Sequence, residues 1–308
     1  MQAPSPAAIN VSLALIETLK SQLPMPFSAY MFAALYAPLQ GYYQTGLSKL
    51  GLGGDFTTAP ETSNHLAKAI ANVLMGAEHW LECGPGSGQL ANDILSHLAE
   101  NAALPKAYWL LEGSPDLQAQ QVEKLKIWHD KLSLKWLADV PTVDWSGAIV
   151  ANELLDALPF AIVQKVQHGY LEAYVTWSND RFAFTYAEPT QAVADYCARY
   201  AAQLALLPEG SLFEAHTAIQ PYLQKLLATH RGQVLLVDYG AEAKELYQPF
   251  RQQGTFRAFY QQHVHGDVLA YPGLQDITCD VNFTEVIDTL LHMGYELELA
   301  TTQMQFIS

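Results

Sequence analysis

The chain has 308 residues, half of them hydrophobic, with 31 acidic against 16 basic residues and a formal net charge of −15. A surface of that sign repels phosphate backbones, which excludes general nucleic-acid binding, and it attracts a basic segment of a protein. Cys83, Cys197 and Cys279 are too far apart for a metal signature or a disulfide framework, and no apolar run approaches the ~20 residues that span a bilayer, so neither a metal nor stable membrane insertion is expected.

In chain order, residues 8–20 carry Ile9, Leu13, Ile16 and Leu19 at helical spacing, and Pro24 and Pro26 end that helix. The first ten residues lack a basic stretch followed by an apolar one, so no signal peptide is read and a reducing, cytoplasmic location is expected. Residues 27–35 form a second helix that Ser28 can cap. A glycine-rich loop over 46–60 follows, then a third helix over 63–74. From Trp80 the pattern alternates: strand 80–83, helix 89–100, strand 108–112, helix 116–126, strand 132–136, strand 148–151 and strand 233–238. Such alternation implies a parallel sheet flanked by helices, an α/β fold. Residues 160–186, rich in Val, Tyr, Trp and Phe, interrupt it as an inserted hairpin or small sheet turning at Asn179-Asp180, followed by a helix over 190–207. Residues 255–260 and 295–307 read as closing strands. The expected division is an N-terminal helical region with a lid loop (1–76) and an α/β core (77–308) carrying an insertion at about 160–230.

The loop Glu82-Cys83-Gly84-Pro85-Gly86-Ser87-Gly88 lies between a strand and a helix, where glycines let the backbone turn sharply and approach a ligand. Alone, it also suits any tight crossover. Its Gly-x-Gly-x-Gly spacing differs from the Gly-x-Gly-x-x-Gly that seats a pyrophosphate. Glu82 would repel pyrophosphate but could hold a cationic amine, and Glu112 ends the next strand, where a carboxylate can accept ribose hydroxyls. Glu82, Gly84, Gly86, Gly88 and Glu112 together point to S-adenosyl-L-methionine and disfavour a nicotinamide cofactor.

Several longer blocks accompany this loop. They are Gly41-Tyr42-Tyr43, Gly54-Asp55-Phe56-Thr57-Thr58-Ala59-Pro60-Glu61, Glu112-Gly113-Ser114-Pro115 and Ala151-Asn152-Glu153-Leu154-Leu155-Asp156-Ala157-Leu158-Pro159. Asp238-Tyr239-Gly240, Gly254-Thr255-Phe256-Arg257-Ala258 and Pro272-Gly273-Leu274-Gln275-Asp276-Ile277-Thr278 complete the set. In this order the blocks resemble the MidA/NDUFAF-type proteins, class I methyltransferases related to the mitochondrial complex I assembly methyltransferase. The resemblance implies a Rossmann-like class I fold, S-adenosyl-L-methionine as cofactor, methylation of a protein arginine and, in the mitochondrial relatives, a role in assembling respiratory complex I. The protein substrate would then be a respiratory-complex subunit. Ser87, Gln89 and Asn282 stand where the family tends to have Arg, Thr and Asp.

Methyl transfer to a guanidinium needs positioning more than acid–base work. Carboxylates that grip the guanidinium bidentately suit it. Asn152, Glu153 and Asp156 follow the fourth strand, and a helical turn there would set Glu153 and Asp156 on one face. Glu153 is the first candidate for the acceptor clamp. Asp156, Asp238 and His265 are further catalytic candidates, His265 as a positioning or proton-accepting group. Asn152, Asp55, Thr58 and Glu61 join the cofactor-binding set. Two other readings stay open: a different methyl acceptor, and a non-catalytic assembly factor that keeps the fold.

Overall fold

The computed structural model describes residues 6–44 and 63–308, with side chains from residue 9 onward. Asp55, Thr58 and Glu61, and with them the glycine-rich loop, lie outside the described residues. The chain divides into two compact units. One comprises Gly46–Leu154, Leu223–Asp238 and Glu296–Ser308; the other comprises Met1–Thr45, Leu155–Tyr222 and Tyr239–Tyr295.

The first unit is the α/β one. Its five strands run parallel in the order His230–Val237, Trp145–Asn152, His79–Cys83, Ala107–Leu111 and Ser133–Leu137. Runs such as Ala148-Ile149-Val150-Ala151, with no polar alternation, suit strands covered on both faces. Helices His65–Val73 and Gln89–Glu100 supply one cover. Leu90, Ala91, Ile94, Leu95 and Leu98 recur every three or four residues, and all are buried against Trp80, Tyr108, Leu110 and Val150. Each leucine or isoleucine among them contributes about 1.5–3 kcal/mol on burial. Helix Pro115–Leu125 starts where Ser114 caps it and Pro115 stands at a position needing no backbone donor.

In the second unit, Gly169–Ser178 pairs antiparallel with Met25–Pro26, Ala161–Val166 and Arg181–Ala187, and Ala161–Val166 pairs with Leu212–Ala215. The hairpin turns at Asn179-Asp180 with φ of 51° and 56°, the left-handed pair such tight turns require. Helix Gln191–Arg199 covers this sheet with Val193, Tyr196 and Cys197. A three-stranded sheet joins His263–His265, Arg257–Tyr260 and Asp276–Thr278.

Three local expectations change. Phe27–Tyr36 begins at Pro26 with no side-chain cap, so Ser28 lies inside the helix. The helix expected over 190–207 breaks at Tyr200 into Gln191–Arg199 and Ala201–Leu204. Residues 295–302 form no strand, and a short helix, Gln303–Phe306, opens at a capping box made by Thr302 and Gln305. Among the described residues no helix is long and apolar enough to cross a membrane.

Candidate active site

The loop after strand His79–Cys83 holds Gly84, Gly86 and Gly88 at φ of 64°, 54° and 78°, a region that only glycine enters without strain. A Cβ at Gly84 would lie 2.9 Å from Leu154 Cδ1, and one at Gly88 would lie 3.2 Å from Gln121 Cγ. The Gly84 N–H donates to the Leu111 carbonyl (3.1 Å), tying the loop to the next strand. Glu112 follows that strand. Its Oε1 accepts from the Ser114 N–H (2.8 Å) and its Oε2 from Gln121 Nε2 (3.1 Å). Gln121 Nε2 also donates to the Gly86 carbonyl (2.8 Å), and Trp136 Nε1 donates to Gln121 Oε1 (3.0 Å).

Asn152 ends the central strand Trp145–Asn152, and its buried Oδ1 has no hydrogen-bond partner among the described residues. A buried acceptor left so costs about 1–3 kcal/mol, which a donating ligand group would recover. Side-chain-free turns, an acceptor-only carboxylate and an orphaned amide oxygen on one parallel sheet fit an adenosyl sulfonium ligand. Glu82 lies deeper, 2% exposed, on the sheet face that carries Trp80, and it accepts the Tyr108 hydroxyl at 2.6 Å. Burial pushes its carboxyl up to about 8 against the pull of that hydrogen bond. At the departures from the family pattern, Gln89 bonds Asp93 and Lys124, and Asn282 caps helix Phe283–His292.

At the carboxyl end of the same sheet, Glu153 has a φ of 50°, left-handed backbone on a residue with a long side chain. Its N–H donates to the Val237 carbonyl (2.8 Å), and the next N–H, of Leu154, donates to Asp238 Oδ2 (3.1 Å). Asp238 therefore fixes the turn that carries Glu153. The expected helical turn is absent: the positive φ at Glu153 ends any right-handed continuation, and the boundary between units falls between Leu154 and Leu155.

Asp156 belongs to the second unit. It is 5% exposed, and its Oδ2 accepts the Tyr239 hydroxyl. Burial pushes its carboxyl up to about 6, while the Tyr239 hydrogen bond and the charge of Arg257 pull it down. The Arg257 guanidinium lies 4.7 Å over the Tyr239 ring and donates to Asp280 Oδ1 (2.9 Å). Glu214 holds the preceding loop by accepting from the N–H groups of Thr255 and Phe256. Tyr43 donates to Asp276 Oδ1 (2.8 Å) and stacks on Tyr36. His265 sits opposite Ala258 in the three-stranded sheet, edge-on to Tyr271, with its Nε2 buried and unpartnered among the described residues. Among the described residues no group of three or more His, Cys, Asp or Glu side chains could hold a metal ion.

Sequence reasoning missed Gln121 and Trp136. The available signal was Gln121 four residues before Leu125, the two being the buried residues of their helix. It also passed over Tyr239, although that residue is part of the Asp238-Tyr239-Gly240 block.

Residues 65–301 match the profile of a family described as "Putative S-adenosyl-L-methionine-dependent methyltransferase". Among curated proteins, the chain is 28% identical to the mitochondrial protein arginine methyltransferase NDUFAF7 homolog of Caenorhabditis elegans, over 87% of this chain and 69% of that one. It is 29% identical to mitochondrial NDUFAF7 of Danio rerio, over 91% and 72%. A Burkholderia thailandensis structure solved with S-adenosyl-homocysteine bound superposes with a TM-score of 0.89 at 33% identity, covering 96% of this chain and 80% of that one. The mitochondrial names of the curated relatives overturn the expected cytoplasmic location, which rested on the absence of a disulfide framework and of a readable signal.

Proposed function

The chain belongs to the S-adenosyl-L-methionine-dependent methyltransferase family matched over residues 65–301, and from that membership we propose that it methylates an arginine side chain of a protein. The curated relatives named as protein arginine methyltransferases support the acceptor, and the net charge of −15 suits a basic one. By the resemblance that the sequence blocks carry, the substrate is a respiratory-complex subunit.

When bound, S-adenosyl-L-methionine supplies an electrophilic methyl group on a sulfonium. In this reading Gly84, Gly86 and Gly88 admit the cofactor against the backbone, Glu112 accepts its ribose hydroxyls and Asn152 accepts a donor through Oδ1, while Glu82, buried on the Tyr108 hydroxyl, supports the strand behind the loop. Glu153 grips the guanidinium and aims one nitrogen. The observation that carries this assignment is its φ of 50°. Glycine would take that conformation without strain, so a glutamate there argues for a use of its carboxylate. Asp238 acts through the Leu154 N–H as a positioning residue.

The test replaces Glu153 by Gln, which keeps the size and removes the charge. Transfer of labelled methyl into protein falls about 10²-fold or more while affinity for S-adenosyl-homocysteine holds. Unchanged turnover removes Glu153 from the clamp.

A further inference from the structure

Gln121 has no solvent exposure, and its amide fits its surroundings in one orientation only. Trp136 Nε1 can only donate, so it fixes the oxygen end of the amide at 3.0 Å. The nitrogen end then faces two groups that can only accept, the Gly86 carbonyl at 2.8 Å and Glu112 Oε2 at 3.1 Å. A flipped amide would set two donors together at the indole and an oxygen against two oxygens. One side chain thereby ties the middle of the glycine loop to the carboxylate after the neighbouring strand. The backbone around it is held as well: Gln118 Nε2 donates to the Glu112 carbonyl at 2.6 Å, and the Ser114 N–H donates to Oε1 at 2.8 Å.

We propose that Gln121, locked by Trp136, is a positioning residue that aims Glu112 at the vicinal diol of the adenosyl ribose and so sets the preference for a ribosyl over a deoxyribosyl ligand. The inference rests on the reading of Glu112 as the ribose acceptor. Without Gln121 the carboxylate loses the Nε2 donor on Oε2, one of the contacts that hold its rotamer. Hydroxyl recognition then suffers more than the adenine and methionine ends of the ligand do.

The experiment measures calorimetric dissociation constants of S-adenosyl-homocysteine and its 2′-deoxyadenosyl analogue on the full chain. Wild type prefers the ribosyl ligand by about tenfold or more, the weight of a hydrogen bond to a charged group. In Gln121→Leu that preference falls toward unity. Trp136→Phe, which frees the amide to turn without emptying its site, lowers the preference part of the way and covers the case in which Gln121→Leu does not fold. If both ligands weaken in equal proportion, Gln121 serves only packing and the proposal is overturned. A preference that survives both variants overturns it too. Wild type that binds the ribosyl ligand with no preference overturns the reading of Glu112, and the proposal with it. Wild type that binds neither ligand instead removes the cofactor assignment on which both depend.

Discussion

Tyr239 donates its hydroxyl hydrogen to Asp156, and the Arg257 guanidinium covers the Tyr239 ring at 4.7 Å. A donor to the charged form and a nearby cation both favour the carboxylate, opposing the burial that raises its proton affinity to about 6. Tyr36, Tyr43, Asp276 and Cys279 share the electrostatic surroundings of this group. The native state therefore holds this proton between about pH 3.8 and 6, where the unfolded chain has released it, and stability declines as pH rises through that window. Tyr239→Phe removes the donor, raises the Asp156 proton affinity further and extends the decline to higher pH. Urea titrations across pH 4 to 8 check it; a decline that ends at the same pH in both proteins contradicts the contribution of Tyr239.

Glu82 makes a linkage prediction. Its folded carboxyl titrates near 8, above its ordinary value of 4.5, so the native state holds a proton that the unfolded state has released between those limits. Wild-type stability therefore declines as pH rises from about 4.5 to 8 and levels off above. Glu82→Gln stays neutral and still accepts from Tyr108. Relative to wild type it gains stability across that window, by an amount reaching a few kcal/mol at about 1.4 kcal/mol per pH unit. Urea titrations at pH 5, 7 and 9 check it; an unchanging difference refutes the shifted titration.

Gly88→Ala separates strain from cofactor access. The position needs a φ of 78°, and a Cβ would press on Gln121 at 3.2 Å. The variant loses about 1 kcal/mol or more of stability by denaturant melt. It also weakens S-adenosyl-homocysteine binding tenfold or more, because the Gln121 side chain it displaces holds Gly86 and Glu112. Unaltered affinity would place the ligand elsewhere.

Much of the fold was legible because it rests on periodicities that tertiary context reinforces. The strand with Val234-Leu235-Leu236-Val237 and the helix with Leu90, Ile94 and Leu98 carry apolar groups where a covered parallel sheet needs them. The alternation Tyr295-Glu296-Leu297-Glu298-Leu299 imitates a strand, yet Leu297 and Leu299 are more than half exposed, and alternation without a partner strand forms no ladder. The glycines and Glu112 were readable from their places after strands. Gln121 was not, since a glutamine on an amphipathic helix usually reads as solvent-facing. The φ of Glu153 was hidden because that conformation is imposed by hydrogen bonds to Val237 and Asp238, more than eighty residues away.

Asn282 tests a departure from the family pattern. Its Nδ2 donates to Tyr196 (2.8 Å), Tyr196 meets Tyr247 (2.6 Å), and Tyr247 donates to the Glu214 carbonyl (3.1 Å). The proton order thus runs one way from Asn282 to Glu214. Asn282→Asp keeps the cap on helix Phe283–His292 but replaces a donor by an acceptor, leaving one tyrosine oxygen in the relay without its hydrogen. Stability falls by about 1–3 kcal/mol in urea denaturation. No loss would mean that the tyrosines rearrange at no cost.

The central claim is transfer of a methyl group from S-adenosyl-L-methionine to protein arginine. Purified protein is incubated with labelled S-adenosyl-L-methionine and mitochondrial or bacterial extract depleted of endogenous cofactor, and the labelled protein is hydrolysed to amino acids. The account predicts label in methylarginine, lost with Glu153→Gln. Labelled protein that contains no methylarginine contradicts it.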